Sequence, residues 1–419
     1  MGQTISEKIL AKASGNKDVC AGDFVDAEID LAMSHDNTFL VSTIFNEIGA
    51  KKVWNPDKIV IVLDHRTPAN TIKTAENHKH IRKFVKKQNI THFFDVGEGV
   101  CHQVLPEKGF VSPGMLIVGS DSHTTTYGAV GAFGTGIGAT DMAAVWITGK
   151  LWFKVPETLR FNVSGKLSRY VSAKDVILYI IGKIGADGAT YKACEFYGSV
   201  IENMSIDGRL CVSNQAMEMG TKAAIIPPDK KTVDYVTFKT NVKFNVVSSD
   251  EDATYEKTYD FDVSDIEPQI ACPDKVDNVK PVSDIVGTEI HQAVLGSCTN
   301  GRLDDLAVAA EILKGKTISK NVRMIVVPAS RLIYLAAVEH GYIQTFVNAG
   351  ATVVNPGCGP CLGLHQGVLA EGECAISSTN RNFKGRMGSP EAQIYLGSPA
   401  TVAASALKGK ITDPRGVIE

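Results

Sequence analysis

The strongest constraint on the fold is an alternation of short, β-branched apolar runs with segments of helical periodicity. Lys58–Leu63, Met115–Gly119 and Val322–Val327 have the length and composition of buried strands. Shorter runs at Ala293–Leu295 and Ala351–Val354 follow the same pattern. Because parallel strands need helical crossovers, this alternation predicts an α/β protein with mostly parallel, doubly wound sheets that are covered by helices on both faces.

Two changes in composition divide the chain into blocks. A glycine-rich helical region ends near Val155–Glu157, and a new strand pattern begins at Arg160. A second boundary falls within a charged stretch between positions 228 and 285, which contains the alternating run Lys243–Val247. That run predicts an edge strand or an excursion from the fold. We therefore predict three α/β domains, at 1–157, 158–285 and 286–419.

The overall composition argues against several classes of function. The 419-residue chain has a net charge of −3 and a pI near 6.4, so nothing indicates nucleic acid or an anionic membrane as a partner. No apolar run approaches the roughly 18 residues of a transmembrane helix, and the N-terminal segment is too charged for a secretory signal. The nine cysteines lack regular spacing, which predicts reduced thiols and a cytoplasmic location.

Three cysteines lie in loops rich in Gly, Pro and Asn. Cys298 stands alone, whereas Cys358 and Cys361 form a Cys-x-x-Cys pair. A closed zinc site or an electron-transfer cluster takes four protein ligands. A [4Fe-4S] cluster held by three thiolates has one iron without a protein ligand, which can bind substrate as a Lewis acid. A thioredoxin-like redox pair and half of a zinc site remain alternatives. The other cysteines are expected to be small apolar core residues: Cys20, Cys101, Cys194, Cys211, Cys272 and Cys374.

Acidic residues and histidines occur together near several predicted strand ends. The segments are Ser34–Asp36, Asp64–His65, Glu98–His102 and Asp121–His123. A neighbouring carboxylate fixes the tautomer of a histidine and raises its basicity, which suits general acid catalysis. Ligand crevices of open α/β sheets lie beyond the carboxyl ends of the strands, where most of these segments fall. By contrast, His78 and His80 are expected to be solvated on a polar helix.

Two further segments are open to two interpretations each. The glycine-rich run Gly131–Asp141 lacks the Rossmann spacing and the Walker lysine, so close backbone packing beside a neighbouring site is its expected role. Arg381 and Arg386 lie in a polar turn sequence. They either are surface residues or bind carboxylates through the planar guanidinium fork.

Taken together, four motifs resemble the aconitase superfamily, and in particular the large subunits of its archaeal-type 3-isopropylmalate dehydratase and homoaconitase branch. The motifs are Gly-Ser-Asp-Ser-His at 119–123, Leu-Gly-Ser-Cys-Thr-Asn-Gly at 295–301, Pro-Gly-Cys-Gly-Pro-Cys-Leu-Gly at 356–363 and Asn-Arg-Asn-Phe-Lys-Gly-Arg at 380–386. The resemblance implies three α/β/α domains around a central cleft and a [4Fe-4S] hydro-lyase. The hydro-lyase would isomerise isopropylmalate in leucine biosynthesis. It further implies a separate small subunit that supplies a fourth domain and a serine base.

The resemblance also implies roles for individual residues. Cys298, Cys358 and Cys361 match the cluster ligands, and Asn214 and Asn380 match polar neighbours of the cluster. His102 would pair with Asp121 and act as the general acid, and His123 would pair with Glu218. The implied catalytic residues are His102, Asp121, Asp64, His65, His123 and Glu218. The implied substrate-binding residues are Arg381, Arg386, Ser122 and His35.

The resemblance leaves the substrate open among 2-hydroxy dicarboxylic and tricarboxylic acids. Homoaconitase and dimethylmalate or citramalate dehydratases are alternatives within the same class of enzyme. A different class is an RNA-binding regulator, because some cluster-free members of the superfamily bind RNA. The sequence has neither a Lys/Arg-rich run nor interleaved aromatic residues to favour that class.

Overall fold

The computed structural model describes residues 2–240 and 242–417. Strands and helices alternate through most of the chain. The strands are β1 (Phe24–Glu28), β2 (Leu31–Ser34), β3 (Ile59–Val62), β4 (His92–Phe94), β5 (Leu116–Gly119), β6 (Phe133–Gly136), β7 (Lys150–Lys154), β8 (Thr158–Ser164), β9 (Ala193–Tyr197), β10 (Ala223–Ile225), β11 (Lys257–Asp262), β12 (Gln269–Ala271), β13 (Val279–Pro281), β14 (Gln292–Gly296), β15 (Arg323–Val327), β16 (Thr352–Val353), β17 (Cys374–Ser377) and β18 (Gln393–Leu396). The α-helices are α1 (Ile5–Ser14), α2 (Thr38–Glu47), α3 (Ile72–Gln88), α4 (Cys101–Glu107), α5 (Ala139–Thr148), α6 (Ala173–Ile184), α7 (Ser199–Asn203), α8 (Ile206–Gln215), α9 (Lys230–Lys239), α10 (Ser297–Asn300), α11 (Leu303–Leu313), α12 (Arg331–Glu339), α13 (Tyr342–Ala349) and α14 (Pro399–Lys408).

The first sheet is fully parallel and has five strands in the order β4-β3-β2-β5-β6. Its three central strands are buried along their whole length, as β-branched runs flanked by helices should be. The strand order reverses direction around β2, so the carboxyl ends of β2, β3 and β5 lie side by side. An antiparallel pair, β1 with β7, accompanies this sheet.

The other two sheets are also mostly parallel. A four-stranded sheet has the order β10-β9-β8-β11 and is parallel throughout. A seven-stranded sheet has the order β13-β12-β18-β17-β14-β15-β16, in which only the pairings made by β12 are antiparallel. The predicted α/β class with mostly parallel sheets is therefore confirmed.

Three apolar cores are centred on the three larger sheets, with some residues contributed by neighbouring sheets, and a further core joins the first sheet to the cysteine loops. The first core contains Phe45, Phe84 and Trp146, whereas the stacked rings of Phe161 and Phe196 mark the second. A third core covers the seven-stranded sheet. The core beneath the cysteines combines residues of the first sheet and its helices with residues of the later loops: Val60, Val62, Val100, Cys101, Tyr127, Cys298, Ala329 and Cys358.

For the alternating run in the charged middle stretch, the sequence predicted either an edge strand or an excursion from the fold. Residues 243–247 adopt no regular structure, so the edge-strand prediction is wrong and the segment is an excursion. Its residues alternate in hydrophobicity, but the four-stranded sheet recruits β11 beside β8 instead. The domain division stays a prediction, and β12 and β13 pair with the seven-stranded sheet although they precede position 286. Within the described ranges, the model contains no helix long and apolar enough to cross a membrane.

Candidate active site

One cavity of 290 Å³ collects side chains from the carboxyl ends of strands in two sheets. His35 follows β2, His65 follows β3 and Asp121 follows β5, whereas Cys298 follows β14 and Asn380 follows β17. This is where parallel sheets form their ligand crevices. The predicted site residues that line the cavity are His35, His65, His102, Asp121, Ser122, His123, Cys298, Cys358, Cys361, Asn380, Arg381 and Arg386. Three further predicted residues do not line the cavity, but each forms a hydrogen bond with a residue that does: Asp64, Asn214 and Glu218.

Cys298 is presented by a sharp turn between β14 and α10. Gly296 has a φ of 132°, and a Cβ atom there would lie 2.0 Å from the carbonyl oxygen of Val327, so only glycine fits. Ser297 follows with a φ of 68°, which is uncommon for a residue with a side chain. The turn brings the Cys298 thiol to the cavity, where Asn214 Nδ2 donates to its Sγ atom at 3.4 Å.

The three cysteines have surroundings that suit thiolate ligands. Asn380 Oδ1 lies 3.3 Å from Cys298 Sγ and 4.0 Å from Cys361 Sγ, so both thiols face one region of the cavity. Burial by itself would raise the pKa of Cys361, but the Arg386 guanidinium, which donates to its Sγ atom at 3.6 Å, holds that pKa below its usual value. Burial raises the pKa of the Cys298 thiol to about 11, so binding a metal there releases a proton. Three buried sulfur donors with hydrogen-bond donors around them fit an iron–sulfur cluster.

Asp64 and His65 form a pair that the backbone holds in place. Asp64 Oδ1 lies 2.5 Å from His65 Nδ1, and Asp64 Oδ2 accepts a hydrogen bond from the Cys101 amide at 2.7 Å. Asp36 Oδ2 accepts from the amides of both Asp64 and His65. Burial would lower the pKa of His65, but the charges of Cys358 and Asp64 hold it well above its usual value. This arrangement therefore favours the protonated form of the His65 imidazole.

The side chain of Asp121 organises two histidines. Asp121 Oδ1 lies 2.8 Å from His102 Nε2 and accepts a hydrogen bond from the His123 amide at 2.8 Å. Burial would raise the pKa of Asp121, but its hydrogen bonds with His102 and His123 hold it well below its usual value. His102 is buried, and its Nδ1 atom has no hydrogen-bond partner among the described residues.

Glu218 connects the second histidine to an arginine. Glu218 Oε1 lies 2.8 Å from His123 Nε2, and the carboxylate accepts from Arg381 Nε at 2.8 and 3.0 Å. Arg381 Nη2 donates to Ser122 Oγ at 3.1 Å. Burial would raise the pKa of Glu218, but His123 and Arg381 hold it below its usual value. The resemblance implied a contact between His102 and Asp121 and another between His123 and Glu218. Both contacts are formed in the structure.

His35 occupies a different electrostatic setting from the other histidines. Its ring stacks on that of His65 with centroids 4.1 Å apart, and its Nε2 atom lies 3.1 Å from the Ser120 carbonyl oxygen. Burial and the neighbouring His65 charge lower the pKa of His35. A neutral His35 therefore donates its single N–H group to the Ser120 carbonyl oxygen, while its Nδ1 atom accepts from the Asn37 amide at 3.4 Å.

Three features differ from the sequence predictions or were missed by them. His78 is buried and its Nε2 atom lies 3.0 Å from Asp36 Oδ1, so the prediction that it is solvated is wrong. Cys20 is exposed, so it is not a core residue. The supporting role of Asp36 was not predicted, although its place in the Ser-His-Asp segment at a strand end was a usable signal.

Comparisons with known proteins agree with this geometry. The chain matches the aconitase family (aconitate hydratase) over residues 7–288 and 282–409. It is 58% identical to the probable 3-isopropylmalate dehydratase large subunit of Methanothermobacter thermautotrophicus, with 99% of each chain covered. It is 55% identical to the probable methanogen homoaconitase large subunit of the same organism, covering 98% of this chain and 97% of that one. It is also 51% identical to the 3-isopropylmalate dehydratase large subunit of Moorella thermoacetica over the full length of both chains. The match over most of the sequence shows that the chain belongs to the aconitase family.

Proposed function

We propose that this chain is the catalytic large subunit of a [4Fe-4S] hydro-lyase that interconverts 2- and 3-isopropylmalate by dehydration and rehydration. The observation that carries the proposal is one cavity that holds three cysteines, three carboxylate-paired histidines and two arginines. Several relatives of similar length carry the name 3-isopropylmalate dehydratase large subunit. Leucine biosynthesis is the pathway that this activity serves.

Cys298, Cys358 and Cys361 are the residues proposed to hold the cluster, which leaves one iron without a protein ligand. Among the described residues that line the cavity, these are the only cysteines. When bound, the cluster supplies a Lewis acid that polarises the C–O bond to be broken. The protein's own residues then orient the substrate and move protons.

We assign the general acid to His65 in preference to His102. The Nδ1 atom of His65 is held by Asp64, and its Nε2 atom is 3.7 Å from Asp121 Oδ2, beyond hydrogen-bond distance. That nitrogen has no carboxylate partner at hydrogen-bond distance, and the contact of His65 with the Cys358 thiol places the ring beside a proposed cluster ligand, so we propose that His65 gives a proton to the departing hydroxyl group. In His102 the Nε2 atom is committed to Asp121, which makes His102 the better candidate for holding Asp121 in place.

Arg381 and Arg386 are proposed to bind the carboxylates of the substrate. Arg381 is fixed by Glu218 and Ser122, so its three remaining N–H groups have defined directions. The Nε atom of Arg386 is buried and has no partner among the described residues, as expected for a donor that awaits a ligand. Fixed guanidinium groups supply both orientation and countercharge.

A separate small subunit is proposed to complete the site. The relatives are named large subunits, which implies a small-subunit partner. We propose that this partner supplies the serine base that removes the proton α to a carboxylate, together with contacts to the group that distinguishes one substrate from another. The compartment of this assembly is proposed to be the cytoplasm.

Homoaconitase is the second candidate function. Two relatives that are each 55% identical to the chain are named probable methanogen homoaconitase large subunits. The cavity residues bind features common to both substrates, a hydroxyl group and carboxylates, so the same mechanism applies.

The decisive experiment is anaerobic purification of the chain with and without its cognate small subunit. Iron and acid-labile sulfide are counted, and hydration of isopropylmalate-type, homocitrate-type and methylmalate-type intermediates is followed. We expect four irons and four sulfides per chain by the cluster type, activity on isopropylmalate, and dependence on the small subunit. Cys374→Ala is the matched control for Cys298→Ala, because both cysteines are buried but only Cys298 lines the cavity.

Three results would contradict the proposal. Purified protein that contains zinc in place of iron would contradict the proposed cluster. Full activity of the large chain alone would remove the need for a partner. Activity confined to homocitrate-type substrates would select the second candidate function over the first.

A further inference from the structure

A buried lysine stands behind the loop that carries Asn380 and Arg381. Lys174 is in the first turn of α6, and its side chain is completely inaccessible to solvent. Neither the sequence motifs nor the proposed mechanism includes it. Lysine is among the residue types least often fully buried, so its position calls for a physical explanation.

All three hydrogens of the Lys174 ammonium group have an acceptor. Its Nζ atom donates to Gln215 Oε1 at 2.9 Å, to the Thr379 carbonyl oxygen at 2.8 Å and to the Ser378 carbonyl oxygen at 3.4 Å. An ammonium group has three donors and no acceptor, so the protonated form fits this environment completely. Within residues 2–240 and 242–417, Lys174 forms no ion pair with a carboxylate.

Lys174 and Gln215 together fix three consecutive carbonyl groups. Gln215 Nε2 donates to the Asn380 carbonyl oxygen at 2.9 Å, directly after the two carbonyl groups that Lys174 holds. On its other side, the same loop presents the Asn380 side chain to Cys298 and Cys361. The next residue, Arg381, reaches Glu218 and Ser122. The backbone of the loop is therefore clamped on one face while its side chains form the site on the other.

The buried Lys174 ammonium group is expected to lower the stability of the fold, for two reasons. A cation in the first turn of α6 lies at the positive end of the helix dipole, where it is unfavourable. Burying a charge without an ion-pair partner is costly as well, and an apolar side chain of similar volume would avoid that penalty. Burial lowers the pKa of Lys174, whereas the charges of Cys211, Cys298, Glu218 and Cys361 act in the opposite direction. The charges of Glu218, Cys298 and Cys361 thus offset only part of the cost of burying this cation.

We propose that Lys174 is a positioning residue for the hydro-lyase reaction. Its ammonium group fixes the loop at the Ser378 and Thr379 carbonyl groups and places a positive charge on the face of the loop opposite Cys298 and Cys361. A cluster with three thiolate ligands has a net negative charge, so this cation stabilises the loaded site. This inference rests on the proposed function, and it adds Lys174 of α6 to the residues that support the site.

The test uses the anaerobically reconstituted complex with the small subunit. Lys174→Met removes the charge and the clamp but keeps an unbranched side chain. Gln215→Glu keeps an acceptor for Lys174, cancels its charge and removes the donor to Asn380. Lys183→Met is the matched control, because Lys183 is on the same helix but is exposed. For each variant we measure kcat, KM, the melting temperature and the one-electron midpoint potential of the cluster.

We expect both site variants to lose about 10–100-fold in kcat/KM, as is typical when outer-shell partners of a metal site are removed. We also expect a more negative midpoint potential, because loss of a nearby positive charge disfavours reduction. Lys183→Met should match the wild type in every measurement.

The inference is overturned if the site variants retain the wild-type midpoint potential and kcat/KM, or if only the melting temperature falls. If Lys174→Met does not fold, the potential of Gln215→Glu decides. A wild-type complex that holds no cluster or has no hydro-lyase activity refutes the proposed function itself, which is a separate outcome read from the wild type alone.

Discussion

His65 and His102 differ in the ring nitrogen that is free to reach the substrate. His65 is partly exposed at the cavity and its Nε2 atom has no carboxylate partner at hydrogen-bond distance, whereas His102 is buried and uses Nε2 to hold Asp121. We expect His65→Asn to lower kcat by about 10²–10⁴-fold, the usual contribution of a general acid, with a smaller change in KM. Steady-state kinetics on the reconstituted complex measures both parameters.

His80→Asn is the control for this substitution, because His80 contacts Ser42 on α2 and does not line the cavity. Its kinetics should match those of the wild type. The assignment fails if His65→Asn retains its kcat while His102→Asn loses it by the larger factor, since the acid would then be His102.

At the scale of single residues, the functional side chains at strand ends could be predicted from the sequence. The buried residues that support them could not. The acid–histidine segments, the cysteines and the two arginines could be recognised because loops at strand ends carry chemistry in α/β folds. His78 was misplaced because its helix is polar on most faces, and only the tertiary structure brings it to Asp36. Lys174 gave no signal, because a single lysine in a helical pattern resembles any surface residue.

Among the structural elements, β6 packs closely against the backbone of Asp121 and Ser122 through Gly136. A Cβ atom on Gly136 would lie 2.6 Å from the Asp121 carbonyl oxygen and 2.9 Å from Ser122 Cα. Because backbone atoms cannot yield as side chains can, we expect Gly136→Ala to displace Asp121 and to destabilise the fold by about 1–3 kcal/mol. Its kcat/KM should fall more than its melting temperature alone would explain. Gly138→Ala is the control, since the nearest atom there is 3.6 Å away in a flexible side chain.

A second prediction at this scale concerns the junction of α8 and α9, since α8 carries Asn214 beside Cys298. Buried Arg209 donates to both carboxylate oxygens of Asp229, the N-cap of α9. Asp229→Asn keeps the cap but leaves Arg209 without a counter-ion. We expect a loss of about 1–2 kcal/mol in the free energy of unfolding, less than for fully buried pairs, because the Asp229 side chain is 37% exposed.

The pH dependence of that loss follows from the direction of the pKa shift. Burial would raise the pKa of Asp229, but Arg209 lowers it from 3.8 to about 2 in the folded protein. The stabilisation is therefore complete above the unfolded value of 3.8 and is lost as the pH falls towards 2. Urea unfolding of the wild type and Asp229→Asn should differ most at neutral pH and converge in acid. Asp234→Asn, which affects only an exposed pair with Lys230, should show no such trend.

Element prediction succeeded where periodicity and burial agree. The runs at Lys58–Leu63 and Met115–Gly119 form β3 and β5 within a residue or two of their predicted ends. The run at Lys243–Val247 alternates like a strand, yet it forms none. Alternation indicates a strand only if a neighbouring strand is available to pair with it, and β11 occupies the open edge beside β8.

On the scale of the whole molecule, the site depends on contact between the first sheet and the later cysteine loops. Cys298 and Cys358 belong to the same apolar core as Val100, Cys101 and Tyr127. Removing the cluster should therefore loosen this core, because ligand binding stabilises the states that hold the ligand. We expect faster hydrogen exchange at 296–301, 356–363 and 101–105 in the cluster-free protein.

The part of the second core around Phe161 and Phe196 serves as the internal control, because both residues lie on strands of the second sheet and this core contains none of the three cysteines. Its exchange should be unchanged by cluster removal. Equal acceleration in both cores would show that the cluster stabilises the whole molecule rather than the contact beneath the site.

The arrangement of the sheets could not be predicted from the sequence. Parallel pairing followed from the alternation of strands and helices, but the strand orders and the close approach of Asp64 to Cys358 depend on long-range packing. The three-domain division is a prediction that strand pairing complicates, because β12 and β13 join the seven-stranded sheet.

The residues that line the cavity are spread from His35 to Arg386 along the chain, and this spread dictates when the site can be built during synthesis. Chains leave the ribosome from the N terminus, and domains fold as they emerge. The first sheet ends at Gly136, so the strands that present Asp64, His65 and Asp121 are synthesised long before Cys298. The three cysteines proposed to hold the cluster all follow in the last third of the chain, so we expect cluster insertion to come late in synthesis or after it. A truncated chain that ends before Cys298 lacks all three of these thiols.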